Sequence, residues 1–194
     1  MKTALIVIDV QRALCEGKYK AFDADGLVQR INAVSGKARQ AGVPVVFVQH
    51  ESEGPVMARD TDGWQLALGL HTEPTDILLG KTTPDSFHRT DLEALLRDRG
   101  VARLVVCGMQ SDFCVDTTTR RALALGFPVV LVSDGHSTLD NQHLTAAQII
   151  AHHSLTLSSI ESFGPRVTLA AADELRFEGE PGATAAWPTA GSAH

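Results

Sequence analysis

Five short apolar runs in this sequence are each followed by residues whose side chains can do chemistry. Asp9 and Gln11 follow Ala4–Ile8, Gln49 and His50 follow Val45–Val48, and Lys81 follows Ile77–Leu79. Gly108-Met-Gln-Ser-Asp-Phe-Cys114 follows Leu104–Val106, and Ser133, Asp134 and His136 follow Val129–Val132. A carboxylate beside a thiol can take its proton. A nearby ammonium keeps that carboxylate ionised and oriented. Cys114 falls after a run and a short turn, where a helix reaching about Leu125 should begin. Free N–H groups at a helix start, with about half a positive charge, favour a thiolate and can hold an oxyanion. The competing reading of Cys114 is a small hydrophobe packed at a helix start. Taken singly, Asp9 could cap a neighbouring helix and Lys81 could be solvated. Cys107 lies within an apolar run and reads as core; Cys15 follows the Asp9 loop and reads as core or as pocket lining.

Several other chemistries are excluded by spacing. Gly80-Lys81-Thr82 is not a phosphate loop, because the glycine required five residues earlier is Thr75. There is no Gly-x-Ser-x-Gly elbow, and no Gly-x-Gly-x-x-Gly follows the first run. No cofactor is therefore expected.

Helical periodicity separates the runs. Leu27, Ile31, Val34, Ala38 and Ala41 recur every three or four residues, and Gly42 ends the pattern. Thr90-Asp-Leu-Glu93 has the form of a capping box opening a helix on Leu92, Leu95 and Leu96, closed by Gly100. Leu144 to His153 reads as a further helix, Leu155–Leu157 as a last strand, and Trp64 to Leu70 as a short helix in an irregular stretch from His50 to Glu73. Runs apolar on both faces belong in a parallel sheet covered by helices. Their alternation with helices predicts a three-layer, doubly wound α/β fold of about six strands. Such sheets bind ligands at the carboxyl ends of their strands, where the reactive residues fall. Residues 1–176 read as one domain. Residues 177–194 turn rich in Gly, Ala and Pro and read as a mobile extension or an arm on a partner subunit.

Composition agrees with a globular domain: 194 residues, 44% hydrophobic and 21% charged. Seventeen basic against 23 acidic residues leave a net charge of −6, the wrong sign for a nucleic-acid footprint. No apolar stretch approaches the ~20 residues that cross a bilayer, so no membrane partner is expected. Asp9 interrupts the first run too early for a secretion leader. Three cysteines cannot all pair within one chain, which predicts reduced thiols and a cytoplasmic setting.

Leu5-Ile-Val-Ile-Asp9-Val-Gln11, Lys81, Gly108–Val115 with Thr118 and Arg120, and Pro128–Asp134 together resemble the isochorismatase-like cysteine hydrolase superfamily. Nicotinamidases, N-carbamoylsarcosine amidohydrolase and isochorismatase belong to it, and the resemblance runs from about Ala4 to Gly164. It implies an Asp9, Lys81 and Cys114 triad and a non-proline cis peptide at Met109–Gln110. It also implies an oxyanion hole from the backbone N–H groups of Gln110 and Cys114. The implied reaction is hydrolysis of a small-molecule amide or related C–N bond through a thioester, in a homo-oligomer of two or more chains. Two other readings are a vinyl-ether hydrolase with Asp9 as the acid, and a silent binding or assembly module on the same fold. Nicotinamidases hold a metal through Asp-x-His after the second strand. Here that place reads Gln49-His50-Glu51-Ser52, with His71 further on, so neither nicotinamide nor a structural zinc is expected. The family's aromatic after the first turn is replaced by Ala13-Leu14, leaving Trp64 or Phe113 to supply a ring. Gln11, Cys15, His50, Trp64 and Phe113 are the expected pocket residues.

Overall fold

A computed structural model describes residues 1–177. Strand β1 (Thr3–Ile8) is buried along its whole length, and its side chains alternate between two cores. Ala4, Ile6 and Ile8 enter one core, Leu5 and Val7 the other. That two-residue period is what a central strand covered on both faces requires. The sheet has six strands in the order β3-β2-β1-β4-β5-β6, all parallel. The others are β2 (Val45–His50), β3 (Ile77–Lys81), β4 (Arg103–Met109), β5 (Val129–Ser137) and β6 (Val167–Ala170). The architecture is the three-layer, doubly wound one.

Helix α1 (Arg12–Cys15) follows β1, and helix α2 (Ala24–Gln40) covers one face with Leu27, Ile31, Val34 and Ala38. Helices α3 (Leu92–Asp98), α4 (Asp116–Ala124) and α5 (Ala146–Ser158) supply Leu92, Leu96, Ala122, Leu123 and Leu157 to the other. Each such large side chain contributes about 1.5–3 kcal/mol on burial, which offsets the chain entropy lost.

The strand order reverses between β1 and β4, so a crevice opens at their carboxyl ends. Gly108 lets the two strands meet there. It pairs with Ile8 at a φ of +117°, and a Cβ would lie 2.1 Å from the Ile8 carbonyl oxygen.

Local signals fail in four places. Leu155–Leu157 is the end of α5, and the last strand is β6. A formed capping box at Thr145 and Gln148 starts α5, and Ile149 and Leu157 then reach the core with helical spacing. No capping box forms at Thr90, whose hydroxyl donates instead to the Ser86 carbonyl at 2.6 Å. Trp64 to Leu70 is turns and a bridge from Leu66 to Gln11, because long-range pairing outweighs the local pattern. Strand β5 runs on to Ser137, carrying Ser133, Asp134 and His136 inside the sheet after a register shift opposite Val106–Gly108. Phe177 packs against the α2 core; the remainder of the expected tail, 178–194, lies outside the described residues. Among the described residues no helix is long and apolar enough to cross a membrane.

Candidate active site

Lys81 is the last residue of edge strand β3, yet it is only 2% exposed. Its register partner on β2 is His50, and its side chain reaches over the end of β2 toward β1. Nζ donates to Asp9 Oδ2 at 2.7 Å and to Cys114 Sγ at 3.3 Å, and lies 3.3 Å from His50 Nδ1. The chain thus joins the ends of β1, β2 and β3 to the turn after β4.

Asp9 follows β1 directly, is 1% exposed and has a φ of +50°. Aspartate tolerates that left-handed conformation better than most residues. Its Oδ1 is buried without a hydrogen-bond partner, and the Cys114 thiol and His50 lie beside this carboxylate. Burial pushes the Asp9 carboxyl above the ordinary carboxylate range, with Lys81 opposing.

Cys114 lies in a π-type turn, Ser111–Val115, that runs into α4. The preceding Met109–Gln110 peptide is cis. The Gln110 carbonyl accepts from the Phe113 and Val115 N–H groups, both at 3.1 Å, which folds the turn back on itself. A buried relay holds it from below. Ser111 Oγ and His136 Nδ1 are 2.7 Å apart, and His136 Nε2 and Ser154 Oγ 3.0 Å apart. Thr138 Oγ1 also donates to Asp112 Oδ1 at 2.5 Å. Burial, then His153, pushes His136 down to about 4, so it is a neutral spacer. Position after an apolar run singled out His136; its role as a brace under the turn needed the fold.

Burial, and then the Asp9 carboxylate, push the Cys114 thiol up to about 12, while Lys81 pulls the other way. The lowered value expected from a helix start is not what this site holds. Cys114 precedes α4 and is half-buried beside a carboxylate. The resting arrangement is a thiol next to a base, able to pass a proton as it attacks.

The expected pocket residues divide. His50 lies at the site, half-buried, its imidazole held below its ordinary value by burial and then by Lys81. Phe113 precedes Cys114 and is 54% exposed. The Trp64 carbonyl accepts from Gln11 and Gln49, and its indole Nε1 is buried without a partner. Cys15 is not brought to Asp9, Lys81 and Cys114. It packs in the α2 core and lines a separate hollow of about 520 Å³ with Glu16, Lys20, Asp25 and Val28. Gln11 is fully buried, and its amide is occupied by the His50 and Trp64 backbones. All three cysteines are free thiols.

Asp9, His50 and Cys114 bring possible metal-ligand atoms within 4.8 Å of one another. They do not fit a metal, because the Lys81 ammonium already sits against all three. His71 stands apart from this group: it is exposed, and its backbone is held by Asn32 and Arg39.

Residues 3–162 match the isochorismatase domain. The chain belongs to the isochorismatase family. It is 42% identical over 138 residues to a streptothricin hydrolase of Streptomyces noursei, covering 71% of this chain and 55% of that protein. A second streptothricin hydrolase of that organism is covered to 50%, so the chain spans about half the length of these curated relatives. A ureidoacrylate amidohydrolase of Methylobacterium radiotolerans is 30% identical over 198 residues, covering 83% of this chain and 74% of that protein. A crystal structure of an isochorismatase family protein, 36% identical, superposes with a TM-score of 0.79 over 87% of this chain and 98% of that one.

Proposed function

We propose that the protein is a cysteine hydrolase that cleaves an amide or related C–N bond of a small molecule. The observation that carries this reading is the buried Lys81 ammonium, 2.7 Å from Asp9 Oδ2 and 3.3 Å from Cys114 Sγ. Asp9 takes the thiol proton as Cys114 Sγ attacks the substrate carbonyl. The backbone N–H groups of Gln110 and Cys114 hold the oxyanion. Asp9 returns the proton to the leaving nitrogen as the C–N bond breaks, which leaves a thioester on Cys114. Asp9 then takes a proton from water; the hydroxide attacks the thioester, and the thiol is reprotonated. Lys81 stays charged throughout and keeps Asp9 oriented. Trp64 and Phe113 border the place the substrate would occupy. Streptothricin hydrolase and ureidoacrylate amidohydrolase, the relatives' names, support an amide-type substrate.

We assign the protein to a reducing, cytoplasmic setting, which its three free thiols support. We also assign it to a homo-oligomer, supported by exposed Phe22, Phe113, Leu155 and Phe163. Sedimentation equilibrium checks the latter, and a monomer at micromolar concentration removes it.

The test of function is turnover of panels of small amides, imides and vinyl ethers by wild-type protein, Cys114→Ala and Asp9→Asn. The thioester route requires both variants to be inactive while folded. Turnover kept by Cys114→Ala and lost by Asp9→Asn replaces it with acid-catalysed vinyl-ether cleavage. No turnover by wild-type protein on the amide and vinyl-ether panels leaves a binding module.

A further inference from the structure

The Lys81 ammonium has three protons and no lone pair, so it can only donate. It is buried, and no water replaces a missing acceptor without cost. Two of its neighbours are the proposed reacting groups, Asp9 Oδ2 at 2.7 Å and Cys114 Sγ at 3.3 Å. The third is His50 Nδ1 at 3.3 Å. Because lysine cannot accept, Nδ1 must offer its lone pair and the ring proton must sit on Nε2. The ring is therefore neutral, since an imidazolium would set a second cation 3.3 Å from the first.

We infer that His50 is a positioning residue, a neutral acceptor that aims the Lys81 ammonium at Asp9 and Cys114 rather than a substrate contact or metal ligand. This rests on the reading of Asp9 and Cys114 as the reacting pair.

The surroundings of His50 are built for that task. Gln11, fully buried, clamps the His50 main chain at both ends: Oε1 accepts from the His50 N–H, and Nε2 donates to the His50 carbonyl, each at 2.9 Å. The second amide proton of Gln11 goes to the Trp64 carbonyl at 2.8 Å, so both of its donors are spent on backbone. A backbone hydrogen bond with Thr83 holds the ring. Of the charged groups facing the ring, Lys81 favours its neutral form, and Asp9 and Glu51 its charged form. Burial is the largest influence and sides with Lys81. Cys114 completes the surroundings as a thiol. The strand register makes the contact, since His50 and Lys81 are direct partners across β2 and β3.

The test needs no substrate. Alkylation of Cys114 by iodoacetamide is followed across pH 7–10 on the full chain, with the modified peptide identified by mass. Wild-type protein is compared with His50→Asn, His50→Gln and His50→Leu. Asparagine can place a carbonyl oxygen where Nδ1 stands, whereas glutamine carries its amide further out and leucine has none. Loosening Lys81 removes the influence that lowers the Cys114 pKa. We expect Leu and Gln to slow alkylation about tenfold at fixed pH, the equivalent of one pKa unit, and Asn to stay near wild type. Wild-type rates in both Leu and Gln overturn the inference, as does equal slowing by Asn and Leu. Melting temperatures verify folding, and Gln keeps the test open if Leu does not fold. Inactive Cys114→Ala with unaltered alkylation in the His50 variants sinks this inference alone. Turnover retained by Cys114→Ala sinks the parent reading.

Discussion

Asp9 has two effects on Cys114 that a single substitution separates. As the base of the proposed mechanism it would accept the thiol proton during attack; as a charge it raises the thiol pKa. We therefore expect Asp9→Asn to abolish turnover while speeding iodoacetamide alkylation at neutral pH. Its thiolate faces Lys81 with no competing carboxylate. Slower alkylation in this variant means the base effect outweighs the charge, and unchanged turnover removes Asp9 from the mechanism. In wild-type protein alkylation should keep rising beyond the ordinary thiol pKa of ~8.5, because the folded Cys114 value is about 12. A plateau below that point shows that the thiolate is held at rest.

The turn that carries Cys114 is only as well placed as the strands beneath it. Gly108 is where β1 and β4 touch, and a methyl group there meets the Ile8 carbonyl oxygen at 2.1 Å. Its φ of +117° adds strain for any other residue. Gly108→Ala should cost several kcal/mol, at least ~3, in urea unfolding, and a loss under ~1 kcal/mol means the strands can part at little cost. The His136 relay ties the turn to β5 and α5 and makes stability depend on pH. Its folded value is about 4 against 6.5 when unfolded, so the unfolded chain binds the extra proton between those values. The stabilisation is full above pH 6.5 and is lost as pH falls toward 4. It amounts to about 3 kcal/mol by that shift, with His153 and Asp134 as the charged groups nearby. His136→Gln should flatten the fall in unfolding free energy between pH 7 and 4.5. An unchanged slope assigns it to other groups.

The molecule as a whole concentrates its site at one sheet edge by reversing strand order between β1 and β4. Edge strand β3, with Leu78 exposed, delivers its one buried cation inward to that crevice. A cation already in place leaves no room for a metal among Asp9, His50 and Cys114. Dialysis against a chelator should leave the rate of Cys114 alkylation unchanged, and added zinc should not raise the melting temperature. A zinc-dependent rise in melting temperature, lost on Lys81→Met, shows instead that the ammonium can be displaced.

Much of this was legible in the sequence, for reasons that are local. A strand buried on both faces must be apolar at successive positions, and a helix over a sheet must be apolar every three or four. The runs at Ala4, Val45, Leu104 and Val129, and the stripe from Leu27 to Ala38, therefore set the fold class. Chemistry in such a fold gathers after strand ends, which singled out Asp9, Lys81 and Cys114 as candidates before any geometry. The failures were local patterns overruled from a distance. Leu155–Leu157 joined a helix whose cap lies ten residues upstream at Thr145, and Thr90 bonded Ser86 and the Leu92 N–H without forming a capping box. Only the tertiary structure decided that Lys81 crosses β2 to reach Asp9, and that Gln11 spends its amide on the His50 and Trp64 backbones. It also decided that Cys15 packs in the α2 core, and that the Cys114 thiol lies beside a carboxylate. Those outcomes depend on strand register and on which buried charges share a cavity, and neither is encoded in the spacing of one chain segment.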